Sequence, residues 1–231
     1  MYFHYFDPMY FLFALPGLLI ALYAQAKVKS NYARYSNVFN SRGYTGADVA
    51  RMILSANGIN DVDIARVSGN LTDNYNPKDN CIYLSDGVFG SNTVAAVGIA
   101  AHETGHAIQH AVGYTPIKIR SALVPVCNFG TGISPFLILL GYILNMEILW
   151  FLALGVFALS VLFQLVTLPV EFDASRRALK AIESMNMLNE NEYKGAKKVL
   201  SAAALTYVAA LLQSLLIFLY YVMRFMGNRR D

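Results

Sequence analysis

The chain has 231 residues, 56% of them hydrophobic and 14% charged, with a mean hydropathy of +0.41. That is too apolar for an ordinary soluble domain and indicates a membrane protein. The net charge of +3 gives no reason to expect a nucleic-acid partner, and Cys81 and Cys127 lie far apart in unlike contexts, so neither a disulfide nor a two-cysteine metal site is expected.

In chain order, residues 9–25, "MYFLFALPGLLIALYAQ", form an apolar run long enough to cross a bilayer. The preceding "MYFHYFDP" lacks the basic start of a signal peptide, so 1–25 is expected to be a retained anchor. Tyr2, Phe3, Tyr5, Phe6 and Tyr10 suit an interfacial aromatic belt. Residues 26–121 read as a small α/β unit. A helix is expected over 45–59, with Thr45 as N-cap and Gly58 as C-cap. "DVDIARVS" (61–68) and "NCIYLS" (80–85) read as strands, and "GNLTDNYNPKDN" between them as turn formers. "SNTVAAVGIAAHETGHAIQHAVG" then gives a helix capped by Ser91 or Asn92.

Residues 122–170 are nearly continuous apolar sequence, too long for one span. They fit a two-helix hairpin, 122–144 and 148–170, with Asn145 and Glu147 at the turn and "TGISP" (131–135) as a site for a kink. A polar segment, 171–198, is expected to be helical, and 199–231 to hold a last span (199–223) and a basic tail. Lys27, Lys29, Arg34, Arg42 and Arg51 follow the first span, and Arg176, Arg177, Lys180, Lys194, Lys197 and Lys198 lie in 171–198. The positive-inside rule therefore assigns 26–121 and 171–198 to the cytoplasm. The tail departs from that rule under a four-span topology, because it carries Arg224, Arg229 and Arg230.

The densest chemistry is "HETGH". On a helix His102 and His106 are ~40° apart on one face with a rise of ~6 Å, so two imidazoles can converge on one ion. Glu103 points beside the pair, where it can reach an attacking water without ligating the metal, as in the H-E-x-x-H arrangement of zinc hydrolases. Burying these groups among Ala, Gly and Ile without a partner is costly, which favours a metal over a polar helix face. His110 lies on nearly the same face but ~12 Å from His102 along the axis, so it reads as a helix-end residue or an outer-shell group. The strand "NCIYLS", just before this helix, is either ordinary sheet packing or an edge that aligns an extended peptide.

Catalytic zinc commonly takes three protein ligands and a water. His4 is on the far side of the membrane in this topology, so the third ligand should be a carboxylate. "LPVEFDASRRAL" (168–179) offers Glu171 and Asp173 at the end of the third span, where the hairpin returns to the motif segment. Spacing alone leaves Glu171 open between a ligand and an interfacial charge paired with Arg176 or Arg177.

"DNYNPKDNCIYLSDGVFGSNTVAAVGIAAHETGHAIQ" together with "LPVEFDASRRAL" resembles the bacterial YugP-like family of neutral zinc metallopeptidases, from about residue 28 to the last apolar stretch. The arrangement is also similar to the membrane gluzincins that include HtpX-type and CAAX-prenyl proteases, which set a two-span hairpin between H-E-x-x-H and a glutamate ligand. The resemblance implies Glu171 as the third zinc ligand. In the HtpX-like pattern an Asp follows that Glu after four positions. Here the position is Ser175, and Asp173 is the candidate substitute.

The expected architecture is thus a mainly α membrane protein, with a zincin-like α/β catalytic unit built onto about four transmembrane helices. The expected activity is a zinc metalloendopeptidase at the cytoplasmic face of the bacterial plasma membrane. Zn2+ is held by His102, His106 and Glu171, and Glu103 is the general base. Tyr207, Arg176 and Arg177 are candidates to stabilise the oxyanion, each with a plain reading as packing or solvated charge. Expected partners are the lipid bilayer and protein or peptide substrates, membrane or unfolded proteins among them. The alternatives are a non-catalytic scaffold with a structural zinc, which needs no Glu103, and an intramembrane protease, which the Ala- and Gly-rich residues 93–112 suit poorly.

Overall fold

The computed structural model describes residues 8–144 and 146–227. The elements are α1 (Pro8–Tyr35), α2 (Gly46–Ala56), β1 (Asp63–Val67), β2 (Asn74–Asn76), β3 (Cys81–Ser85), α3 (Asp86–Phe89), α4 (Val94–Ala111), α5 (Thr115–Leu144), α6 (Glu147–Ser184) and α7 (Glu190–Gly227). The protein is mainly α-helical with one three-stranded sheet. Tyr2, Phe3, His4, Tyr5, Phe6, Asn145, Arg229 and Arg230 lie outside the described residues.

The chain divides into two units. One holds the chain up to Tyr23, Ile119–Leu168 and the chain from Thr206. Its helical segments belong to α1, α5, α6 and α7, the four helices among the described residues that are long and apolar enough to cross a membrane. The four apolar runs of the sequence all fall within these helices, and α5 stays helical through 131–135. Large apolar side chains such as Leu12, Phe129, Phe136 and Ile143 are exposed, as a lipid-facing surface requires. Tyr10 meets Tyr220 edge-on at 5.3 Å, and Gly17 lets Gln213 approach so closely that a Cβ there would lie 2.3 Å from Gln213 Oε1.

The other unit, Ala24–Lys118 with Pro169–Leu205, contains the sheet and the motif helix. Thr45 and Asp48 form the reciprocal capping box that starts α2. Its C-cap is Asn57 rather than Gly58. Gly58 follows at φ +69, the left-handed residue just beyond the helix. The sheet order is β1-β3-β2, with β1 parallel and β2 antiparallel to β3. This corrects one expectation, because a third strand lies inside the turn-rich run, and it decides between two readings of "NCIYLS", which forms the buried central strand as ordinary sheet packing. With both sides of β3 already paired, β2 is an edge. Thr93, rather than Ser91 or Asn92, caps α4, its Oγ1 accepting from Ala96 N–H at 3.3 Å. A bridge between Phe39 and Thr93 holds the extended backbone that this cap needs.

Two apolar clusters enclose α4. Ala96, Ala100 and Ala107 pack toward Ile82 and Leu84 of β3, Val88 of α3 and Leu54 of α2. Val97, Ala101 and Ile108 pack toward Ala178 and Ile182 of α6 and Ala196, Val199 and Leu200 of α7. Fully burying each large aliphatic side chain here stabilises by about 1.5–3 kcal/mol. Small residues set the spacing. A Cβ on Gly105 would lie 2.6 Å from the Ala174 carbonyl oxygen, so only glycine permits this approach of α6 to α4.

Candidate metal centre

One turn of α4 separates His102 from His106. Their ring centroids are 4.8 Å apart, and the rings meet edge to face at 83°. Glu171 arrives on α6, two residues after Pro169 and three before Ala174, whose backbone abuts Gly105. Glu171 Oε2 lies 3.3 Å from His102 Nε2 and 3.5 Å from His106 Nε2. Glu171 and His106 are buried, and among the described residues these three are the cluster whose ligand atoms, all within 4.8 Å of one another, could hold a metal ion.

Side chains further out engage the opposite edge of each ring. Gln109 Oε1 is 3.0 Å from His106 Nδ1, while Gln109 Nε2 donates to the Val170 carbonyl at 2.8 Å and to Asp173 Oδ2 at 2.9 Å. Ser175 Oγ is 3.1 Å from His102 Nδ1. Both Nε2 atoms are thereby left for Glu171 and a cation. Two imidazole nitrogens and one carboxylate oxygen suit Zn2+, whose catalytic sites commonly pair three protein ligands with a water. The residues present fit the ion.

Asp173 also takes Arg176 and, at 2.6 Å, Arg177 Nε. Both arginines therefore turn to Asp173 and not to Glu171, and Arg177 also lies over the Tyr114 ring at 5.9 Å. Tyr207 lies in α7 within the other unit. The His110 ring packs against Tyr75 of β2, centroids 5.4 Å apart, in the last turn of α4 and outside the cluster.

Burial sets the electrostatics. Burial would raise the Glu171 carboxyl, but the His102 and His106 rings that face it outweigh this and hold it well below the usual carboxylate range. Glu103 goes the other way. Burial pushes it up to about 7; the His102 charge opposes this, and Glu171 and Asp73 add to it. The Tyr75 backbone N–H donates to its carboxylate. Asp73 is itself raised by burial, against hydrogen bonds from Ser85 N–H at 2.7 Å and Ser85 Oγ at 2.9 Å.

The sequence reading missed Gln109, Gly105, Tyr75 and Asp73. Gln109 carried a usable signal: it lies three residues after His106, on the neighbouring position of the same helical face. Tyr75 and Asp73 carried none, because their place depends on β2 docking against α4.

No solved structure matches the chain. It is similar to the "Putative membrane protease YugP" of Bacillus subtilis (strain 168), at 46% identity over 224 residues, covering 96% of this chain and 100% of that protein. Residues 10–226 match the family model described as "Putative neutral zinc metallopeptidase", a description that implies Zn2+. The chain belongs to that family of zinc metallopeptidases.

Proposed function

We propose that the chain is a membrane-bound metalloendopeptidase of the gluzincin type, hydrolysing peptide bonds in protein or peptide substrates at the cytoplasmic face of the bacterial plasma membrane. Membrane or unfolded proteins are the substrate class that this location favours. The observation that carries the reading is the approach of Glu171 Oε2 to within 3.5 Å of both histidine Nε2 atoms, with Glu103 buried beside the trio but not part of it.

His102, His106 and Glu171 would hold the ion through two nitrogens and one oxygen. Bound there, Zn2+ supplies Lewis acidity to the scissile carbonyl and acidifies the attacking water. Glu103 takes a proton from that water on its carboxylate and delivers it to the leaving amine nitrogen. A carboxyl pushed up to about 7 holds and releases a proton near neutral pH more readily than an ordinary glutamate. The Tyr75 backbone beside it favours the charged form of that carboxylate. The edge strand β2, rather than β3, is the element that an extended substrate joins.

A structural zinc site on a scaffold is closed by four protein ligands. Three ligands and a neighbouring buried carboxylic acid favour catalysis. An intramembrane site is disfavoured by the enclosure of α4 between a sheet and other helices. The test is cleavage of an unfolded protein by the zinc-loaded chain in detergent, beside Glu103→Gln. The expected outcome is a loss of about 10²–10⁴-fold in rate with zinc retained. Equal cleavage by both would overturn the assignment of Glu103. Zinc-bound but inactive wild-type protein would favour the scaffold.

A further inference from the structure

The amide of Gln109 has one orientation that satisfies its surroundings. It is fully buried on α4, and three partners converge on it. The Val170 carbonyl can only accept, and the Asp173 carboxylate, held by Arg176 and Arg177, is an acceptor as well. Both protons of the Gln109 amide are therefore taken, and its oxygen is what faces His106 Nδ1. An amide oxygen cannot donate, so the hydrogen of that contact sits on His106 Nδ1, and Nε2 is left with its lone pair toward Glu171.

We infer that Gln109 is the positioning residue of the metal centre: it sets His106 in the Nδ1–H tautomer, with Nε2 as the ligand atom, and ties the histidine helix to the segment of α6 that carries Glu171. The inference rests on the metal reading above. It gives Asp173 a role through an intermediary. Ligand histidines are often held by a carboxylate directly. Here Asp173 reaches His106 only through the glutamine, and the arginines hold the carboxylate in place. Ser175, at the position where the HtpX-like pattern carries Asp, holds the other ring.

Two variants separate this role from packing. Gln109→Met keeps length and apolar bulk but removes all three hydrogen bonds. Gln109→Glu keeps an acceptor for His106 but sets a carboxylate against Val170 O and Asp173. Adding Asp173→Asn returns an amide donor opposite that carboxylate. Zinc affinity is read by competition with a fluorescent chelator on the full chain in detergent, and the visible bands of the Co2+-loaded protein report ligand geometry. Both single variants are expected to bind zinc about 10–100-fold more weakly with altered Co2+ bands. The Gln109→Glu/Asp173→Asn pair is expected to recover much of the loss. The packing control Val97→Ala, buried on the same helix, should lower the unfolding temperature while keeping zinc affinity within about threefold, since no ligand is touched. Gln109→Met affinity within about threefold of wild type would overturn the inference. So would an equal zinc loss in Val97→Ala, or no recovery in the double variant. Wild-type protein that binds no zinc would instead remove the metal reading itself.

Discussion

α4 and α5 are both apolar helices, yet they are built for different solvents. α4 is lined with Ala and Gly, and protein covers most of its length, including Glu103, Thr104, His106 and Gln109. α5 exposes Val126, Phe129, Phe136 and Ile143. Small side chains let backbones approach until polar groups can be satisfied by other protein atoms. Large ones fill a surface that only lipid will cover. Size, rather than hydropathy, distinguishes a helix that can host chemistry from one that supplies an anchor.

The largest test of this contrast uses one helix. α6 begins with the exposed Glu147 and carries the buried Glu171. Glu171→Ala should weaken zinc binding beyond the about 10–100-fold that an outer hydrogen-bond partner is worth, whereas Glu147→Ala should leave it unchanged. Equal effects, read by chelator competition, would break the contrast.

A second test is the charge buried in the packed unit. In metal-free protein the folded state keeps the Glu103 proton up to about pH 7, whereas the unfolded chain releases it near the ordinary glutamate value of 4.5. Folded protein binds more protons in that window, so this group's contribution to stability falls as pH rises from 4.5 to about 7. Glu171 has the opposite sign: its contribution is full above 4.5 and is lost as pH falls through its depressed pKa. Glu103→Gln removes the first effect and keeps the second. With chelator present, the unfolding free energy of wild type minus variant should decline across that window; a flat difference would refute the burial of an ionisable Glu103.

Glycines give the smaller effects. Gly105→Ala forces a methyl to 2.6 Å from the Ala174 carbonyl oxygen, and should cost about 1–3 kcal/mol in unfolding experiments while weakening zinc. Gly155→Ala, on α6 in the membrane unit, meets nothing within 4 Å and should be neutral or stabilising by up to about 1 kcal/mol. Reversal of that order would mean that α4 and α6 are not tightly packed at the motif.

The features legible in the sequence were local ones. The four apolar runs, the Thr45 start of α2 and the H-E-x-x-H spacing each follow from side-chain periodicity or a cap. β2 spans three residues, Asn74–Asn76, too few to show alternation, and its turn-forming composition concealed it. The central place of β3 depends on partners arriving from both sides of its sequence. Gln109 reads as a polar residue near a helix end until α6 returns Asp173, 64 positions later, to meet it. At Ser175 the departure from the HtpX-like pattern was visible, but its contact with His102 was not.

The close passage of Gly105 by Ala174 also has a consequence in time. A ribosome makes both histidines before the hairpin and Glu171 65 residues after His106. At about 5–20 residues per second, the nascent chain spends roughly 3–13 s with His106 made and Glu171 still to come. During that interval it lacks both the third donor and the helix that the motif glycine is shaped to receive. A chain that stalls or is cut inside the hairpin stays in that state. The candidate metal cluster is therefore completed only once the hairpin has been made, and a copy cut inside the hairpin lacks Glu171.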